Sequence, residues 1–249
     1  MTKRRPPRRH IITLYSLIAV GSILALGVFL IILQHLPKSS AAQTALFSDD
    51  FSSHQLGESL TQDSKWDDES YKFGLKLKSK WYYAVNHIYH EPYIPLDYSD
   101  DPSSYLESII AAGDPNWTDY AFRISAEPVD NYGFGLVFRY RDINNYYRVM
   151  IIRDPKAGGP VVSLDKKENG QLTNIAKTNA SSSFYGDYNP GTWYRIKVLA
   201  SGSNLEVFVD DKTILKGSDH TFKSGRIGLL TWEHSAAFFD DALVLKVGN

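Results

Sequence analysis

Apolar and polar positions alternate most clearly between Asn131 and Arg153, where the sequence reads NYGFGLVFRYRDINNYYRVMIIR. The pattern predicts two strands, Tyr132–Arg141 and Tyr146–Arg153, joined by a turn at residues 142–145. Successive side chains of a strand point to opposite faces of a sheet. One face of the first strand is predicted to point Phe134, Leu136, Phe138 and Tyr140 toward a core, and the other to point Val137, Arg139 and Arg141 outward.

Similar short patterns recur along most of the chain, separated by turn-forming Gly, Asn, Asp and Pro. The other predicted strands are Ala45–Phe51, Tyr71–Ser79, Tyr105–Ala111, Tyr120–Glu127, Val161–Glu168, Leu172–Thr178, Trp193–Ala200, Leu205–Asp210, Gly225–Thr231 and Ala237–Val247. No segment shows a convincing 3.6-residue apolar period. Many short strands with turn signals at this spacing predict an all-β sandwich or jelly roll of two antiparallel sheets.

The segment from Lys80 to Ser104 lacks this alternation of apolar and polar residues. It contains Trp81, Tyr82 and Tyr83 together with three prolines and an acidic run. A loop this long inside a compact domain is usually functional or disordered, and its aromatic content argues against disorder. We therefore predict an aromatic-rich loop insertion here.

The N-terminal part has a different character. A basic tail at residues 1–10 precedes 23 uncharged, mostly apolar residues at 11–33, and a polar linker follows at 34–45. The apolar run is long enough to span a bilayer as one helix, and the basic residues before it favour a cytoplasmic N-terminus. We predict a transmembrane signal anchor at the cell membrane with an extracytoplasmic domain at 46–249. A cleaved signal peptide is the alternative, since Ser40-Ala41-Ala42 offers small residues to a peptidase.

Charge and composition narrow the class of partner. The chain has no cysteine, which excludes disulfides, thiolate metal sites and a cysteine nucleophile. The first 38 residues hold six of the 27 basic residues and none of the 28 acidic ones, so the remainder has 21 basic and 28 acidic residues and a net charge of −7. An acidic domain argues against nucleic acid as a partner.

Several motifs follow one another in a familiar order: FSDDF, DYAFRI, YGFGLVFRYRD with NYYRV, WYRIKVLASG with NLEVFVDD, GRIGLLTW, and AAFFDDALVL. Together they resemble the concanavalin A-like (laminin G-type) jelly roll, near the branch of 3-keto-disaccharide hydrolases and carbohydrate-binding modules. The resemblance covers Leu46 to Val247 except the insertion at Lys80–Ser104. It implies two curved sheets that bind glycans at a concave face or its rim loops. The same fold also hosts enzymes and inert spacers.

The ligand face is predicted from residue types that suit sugars, namely an aromatic plate and charged groups for hydroxyls. Arg139 and Tyr147 are expected to point outward on the hairpin, and Trp232 and Glu233 to lie in the loop before the last strand. Trp81 and Tyr83 are expected to form a lid. The alternative is that Tyr147 and Trp232 pack the sandwich and Arg139 pairs with a nearby carboxylate.

A metal is predicted from the acids of the first and last strands. Asp50 and Asp240 are expected to lie on neighbouring strands, where one carboxylate from each and backbone carbonyls would hold a structural calcium. Ordinary turn acids are the alternative. A second candidate, the spacing of His87, His90 and Glu91, is better explained by a solvated loop.

These observations predict non-catalytic binding of a glycan or cell-surface polymer. Retaining glycosidases of this fold carry two Glu on one strand, in a pattern such as E-x-D-x-E, and the chain lacks it. A sugar-derivative hydrolase of the 3-keto-disaccharide type is one alternative. A structural or adhesive domain without a small ligand is the other.

Overall fold

Two antiparallel sheets account for most of the residues that the structure describes. The computed structural model describes residues 43–60, 65–72, 79–92, 106–179, 184, 186–232 and 234–248. The strands are β1 Ala45–Asp49, β2 Trp66–Asp68, β3 Lys80–Ala84, β4 His87–Glu91, β5 Glu107–Ala112, β6 Tyr120–Pro128, β7 Gly133–Asp142, β8 Asn145–Ile152, β9 Val161–Glu168, β10 Gln171–Lys177, β11 Tyr194–Ser201, β12 Asn204–Val209, β13 Lys212–Ser218, β14 Arg226–Trp232 and β15 Ala237–Lys246. A short helix α1 spans Glu69–Lys72, and a 3-10 turn spans Pro155–Ala157.

One sheet has eight strands in the order β13-β12-β11-β6-β15-β4-β3, with β1 also pairing with β15. The other has seven strands in the order β10-β9-β8-β7-β14-β5-β2. Neighbours in the order are hydrogen-bonded, and most of them are distant in sequence. This is the jelly-roll-like sandwich that the alternation predicted.

The main core lies between the two sheets. Phe122 and Ile124 of β6 belong to the same buried cluster as Phe134 and Leu136 of β7. Because side chains alternate along each strand, the residues that point between the sheets can be apolar while those that point outward can be polar or charged.

A bulge in β7 changes which side chains share a face. Arg139 has a φ of 45°, and the three steps along β7 from Val137 to Tyr140 lie opposite only two steps along β14, from Gly228 to Arg226. An extra residue reverses the alternation beyond it. Phe138 therefore points into the main core as predicted, whereas Tyr140 lies on the outer face with Val137. The prediction that Tyr140 shares the inner face is wrong for this reason.

The outer face of the seven-stranded sheet carries a second buried cluster. It consists of Ile109, Ala111, Val137, Tyr140, Ile143, Tyr146, Met150, Ile152, Leu230 and Trp232. Strands buried on both faces lose the clean apolar and polar alternation on which sequence reading depends.

Most of the predicted strands are present, with three departures. The segment Lys80–Ser104 begins with a hairpin, β3 and β4, rather than a loop. The predicted strand Tyr71–Ser79 begins inside α1, and residues 73–78 lie outside the described part of the chain. The edge strands β2 and β13 were not predicted, because β2 has only three residues and the sequence of β13, KTILKGS, is mostly polar.

The N-terminal predictions fall outside the described residues. This applies to the basic tail, the apolar run at 11–33 and nearly all of the linker. Within the ranges that are described, no helix has the length and apolar character needed to cross a membrane.

Candidate ligand-binding face

A group of charged and phenolic side chains lies on the outer face of the seven-stranded sheet. The carboxylate of Glu107 accepts hydrogen bonds from the hydroxyl of Tyr146 at 2.5 Å and from Nζ of Lys167 at 2.8 Å. It also pairs with the guanidinium of Arg148, whose Nε donates to Oδ2 of Asp165 at 3.0 Å. We call these five residues the Glu107 network.

Strand pairing places four members of the network side by side. Tyr146 of β8 is the cross-strand partner of Lys167 of β9, and Arg148 is the partner of Asp165. Directly opposed residues point to the same face, so the four side chains must meet there. Asp165 is held further by Ser163 and Asn174, which donate to it at 2.8 Å each.

The charges within the network determine the protonation states of Glu107 and Tyr146. Burial raises the pKa of Glu107, but the positive charges of Arg148 and Lys167 outweigh that effect and hold it below its ordinary value. Burial and the neighbouring Glu107 raise the pKa of Tyr146 well above its ordinary value. Near neutral pH the network therefore combines an ionised carboxylate with a protonated phenol.

A second polar group lies nearby. The guanidinium of Arg226 donates from Nη1 to Oε1 of Glu69 at 2.8 Å and from Nη2 to Oδ2 of Asp67 at 2.6 Å. The hydroxyl of Tyr140 donates to the other oxygen of Glu69 at 3.1 Å. The ring of Tyr140 stacks on that of Tyr146, with centroids 5.7 Å apart. This contact joins the two polar groups across the face.

Trp232 belongs to the same face. Its indole lies over Gly133, where an added Cβ would come within 2.8 Å of the ring. His234 stacks on it at 6.1 Å between centroids and meets the edge of Tyr132 at 4.4 Å. Trp232 is the last residue of β14 rather than part of a loop, and at 8% exposed it packs in the outer cluster on the same sheet face as the Glu107 network.

Arg139 and Tyr147, the hairpin residues predicted to bind a ligand, do not lie on the outer face of the seven-stranded sheet. Arg139 is 1% exposed, and its guanidinium donates to the carbonyl oxygens of Thr118, Gly202 and Phe222. Tyr147 is fully buried in the main core, stacked on Phe138. The prediction that Arg139 and Tyr147 point outward is wrong, because β8 has the opposite phase and Arg139 sits in the bulge.

Trp81 and Tyr83 are core residues rather than a lid. They are 3% and 0% exposed and belong to the cluster between the sheets. The indole of Trp81 donates to Oγ of Ser108 at 2.8 Å, and the ring of Tyr83 stacks on His54 at 3.6 Å. Glu233, the remaining predicted ligand residue, lies outside the described residues.

The predicted calcium ligands have separate partners. Asp50 accepts hydrogen bonds from Ser52, and Asp240 lies 3.3 Å from the imidazole of His87. The groove that Asp50 lines does not include Asp240. It holds the carboxylates of Asp49 and Asp241 together with Lys65 and Arg123, whose positive charges offset those carboxylates. No group of three or more metal-ligating side chains occurs among the residues described. The arrangement of Asp50 and Asp240 therefore does not fit calcium.

Comparison with known proteins agrees with this architecture. The sequence model of a 3-keto-alpha-glucoside-1,2-lyase-like domain matches residues 103–243. No curated protein sequence matches the chain.

Among solved structures, a carbohydrate-binding module, CBM66 from Bacillus subtilis, is 18% identical with a TM-score of 0.56, over 75% of this chain and 99% of its own. The exoplasmic/lumenal domain of VIP36, in a form bound to Ca2+ and Man3GlcNAc, is 14% identical with a TM-score of 0.53, over 77% and 88%. A galectin-like protein of unknown function from Bacillus subtilis is 12% identical with a TM-score of 0.54, over 85% and 98%. At these identities the likeness concerns the fold.

Proposed function

The chain belongs to the 3-keto-alpha-glucoside-1,2-lyase-like domain family, and from this premise we propose that its sandwich binds a carbohydrate on the outer face of the seven-stranded sheet. The observation that carries the proposal is the Glu107 network. Its central ion pair joins two side chains that are only 10% and 11% exposed.

A buried ion pair usually contributes little to the free energy of unfolding. Removing two charges from water costs several kcal/mol per ion, and well-packed apolar residues are often as stabilising. The same face carries a large apolar cluster, so an apolar filling was available to this sheet. Charged groups held in such a place are characteristic of functional sites.

The network suits hydroxyl-rich ligands. Sugar hydroxyls both donate and accept, and charge-assisted hydrogen bonds to carboxylate, guanidinium and ammonium groups are stronger than neutral ones. The mutual ion pairs keep Arg148 and Lys167 in fixed positions, which lowers the entropy cost of binding. Trp232 is the cross-strand partner of Glu107, but only 8% of it is exposed, so polar contacts rather than stacking on this ring would bind the sugar.

Binding is favoured over proton-transfer catalysis at Glu107. A general base works best when its pKa lies near the operating pH, and the pKa of Glu107 is held below its ordinary value. The second candidate function is elimination or hydrolysis of a 3-keto-glucoside, and the family match favours it. Incubating the protein with 3-keto-α-glucosides and following the products by NMR tests this candidate.

Calorimetric titration of the full-length chain with a panel of oligosaccharides and 3-keto-glucosides tests binding. Arg148→Met and Lys167→Met are expected to weaken binding about tenfold or more, since each removes a charge-assisted hydrogen bond. Arg195→Met is the matched control, because Arg195 forms an exposed ion pair with Asp211 on the other sheet. A ligand whose affinity is unchanged in both network variants, or a panel with no ligand at all, would contradict the proposal.

We also propose that residues 11–33 anchor the protein in the cell membrane with the sandwich outside. The support is the uncharged run and the basic residues before it. Protease added to intact cells should degrade the sandwich if this orientation is correct, and should leave it intact if the sandwich is inside.

A further inference from the structure

A row of aromatic rings lies on the outer face of the eight-stranded sheet. Tyr82 contacts Tyr89 with centroids 5.2 Å apart, and Tyr89 contacts Phe238 at 4.5 Å. Phe238 continues to His87 at 6.1 Å, and His87 to Trp193 at 5.1 Å. We call these five residues the aromatic strip.

The core does not require these rings. On β3 and β4 the alternate residues Trp81, Tyr83 and Ile88 fill the space between the sheets. The residues of the strip point the other way and remain partly exposed, and Trp193 is 39% exposed. A contiguous exposed patch of this kind marks an interaction site more often than an isolated apolar residue does.

Carboxylates surround the strip. Asp240 lies 3.3 Å from His87, and Glu127 is the cross-strand partner of Phe238. Glu91 lies two residues from Tyr89 on β4 and so points to the same face, and burial, Tyr82 and the charges of Glu91 and Asp130 together raise the pKa of Tyr89.

Two cations lie near the strip: Lys80 is the cross-strand partner of Glu91, and Arg195, two residues from Trp193, pairs with Asp211. The four acids therefore outnumber the bases described around the strip. The acidic balance of the chain after its basic N-terminus adds to the negative potential.

We propose that the aromatic strip binds a cationic glycan, that is, a chain of amino sugars with free ammonium groups. Sugar rings place their C–H faces against aromatic rings, and ammonium groups are attracted to the ring faces and to the carboxylates around them. A row of rings suits a polymer better than a single sugar because consecutive residues can be contacted. The site is separate from the Glu107 network and does not depend on the function proposed for it.

Titration of the full-length chain with a β-1,4-linked glucosamine hexamer tests the proposal. Calorimetry reports binding, and so does a change in tryptophan fluorescence that is lost in Trp193→Ala, since the chain has five tryptophans. The N-acetylated hexamer, which has the same linkage and no charge, is the comparison. We expect the glucosamine hexamer to bind at least about tenfold more tightly and to weaken as salt is added.

Four variants locate the site. Trp193→Ala and Glu91→Gln are each expected to weaken binding of the glucosamine hexamer about fivefold to tenfold, and both positions are exposed enough for folding to continue. Glu206→Gln is the control, since Glu206 pairs with Lys216 at the opposite edge of the same sheet. Arg148→Met should leave this binding unchanged, which separates it from the site on the other sheet.

Four results would overturn the proposal: no binding of the glucosamine hexamer, equal affinity for the N-acetylated form, equal affinity for a hexalysine peptide, or unchanged affinity in both Trp193→Ala and Glu91→Gln. The third result would identify the strip as a surface for basic peptides. Measured with Arg148→Met as the starting protein, none of the four depends on whether the Glu107 network binds a sugar.

Discussion

Replacing Arg139 by methionine should destabilise the fold strongly without acting through a ligand site. The guanidinium is buried and donates to the carbonyl oxygens of Thr118, Gly202 and Phe222 at 3.2, 2.8 and 2.9 Å. Methionine keeps the apolar stem but leaves these acceptors without their donor.

The expected cost follows from these contacts. A hydrogen bond to a charged group contributes roughly 1.5–3 kcal/mol, and removing one partner from a buried charged group typically costs about 3–5 kcal/mol in total. The free energy of unfolding should therefore fall by about 3–5 kcal/mol. In urea denaturation the midpoint should move down by on the order of 1–2 M, with little change in slope.

Arg195→Met is the matched control, because Arg195 is 58% exposed and pairs only with exposed Asp211 among the salt bridges described. Its free energy of unfolding should change by less than about 1 kcal/mol. A loss below about 1 kcal/mol in Arg139→Met would refute the reasoning. So would a variant that keeps its stability and loses only carbohydrate binding, since that would make Arg139 a ligand residue.

Three further outcomes are expected. Tyr120→Phe should lower the free energy of unfolding by about 1–3 kcal/mol in urea denaturation, because the Tyr120 hydroxyl accepts a hydrogen bond from the buried N–H of Arg139 at 2.7 Å. Tyr82→Phe is the control and should change the free energy of unfolding little, since Tyr82 is partly exposed. Burial raises the pKa of Asp130 from 3.8 to about 6. The carboxyl group therefore stays protonated to a higher pH in the folded state than in the unfolded state. The contribution of Asp130 to the free energy of unfolding should fall as pH rises from about 4 to 6, by at most roughly 1.4 kcal/mol per pH unit. Denaturation at pH 4, 5 and 6 should show this slope in the natural protein and a shallower one in Asp130→Asn; equal slopes would contradict it. A chelator should leave the melting temperature unchanged, because Lys65 and Arg123 share the groove of Asp50, and a clear drop would restore the calcium prediction.

The sequence of β8 predicts a strand but does not show which of its two faces points into the core. Tyr147, Val149 and Ile151 lie in the main core, and Met150 and Ile152 are buried on the outer face. Both alternating sets are apolar, so the pattern predicts a strand but cannot say which set faces inward. Only the pairing with β7 and β9 decides it, and the choice moves Tyr147 inward and Arg148 outward.

The Glu107 network was not predicted for the same reason. Glu107 lies 41 residues from Arg148 and 60 from Lys167 in the chain. No local spacing relates them, and strand order brings them together.

What the sequence determined by itself is the set of strands and the two-sheet class, because both follow from local alternation and turn residues. The hairpin at Tyr132–Arg153 is an example, since its strands and turn were predicted from its own residues. The tertiary structure decided the rest. A bulge at Arg139 turned an expected ligand residue into a buried structural residue, and the strand order of the seven-stranded sheet assembled a charged network from three separate strands, β5, β8 and β9. Both depend on contacts between residues distant in sequence, which local patterns do not encode.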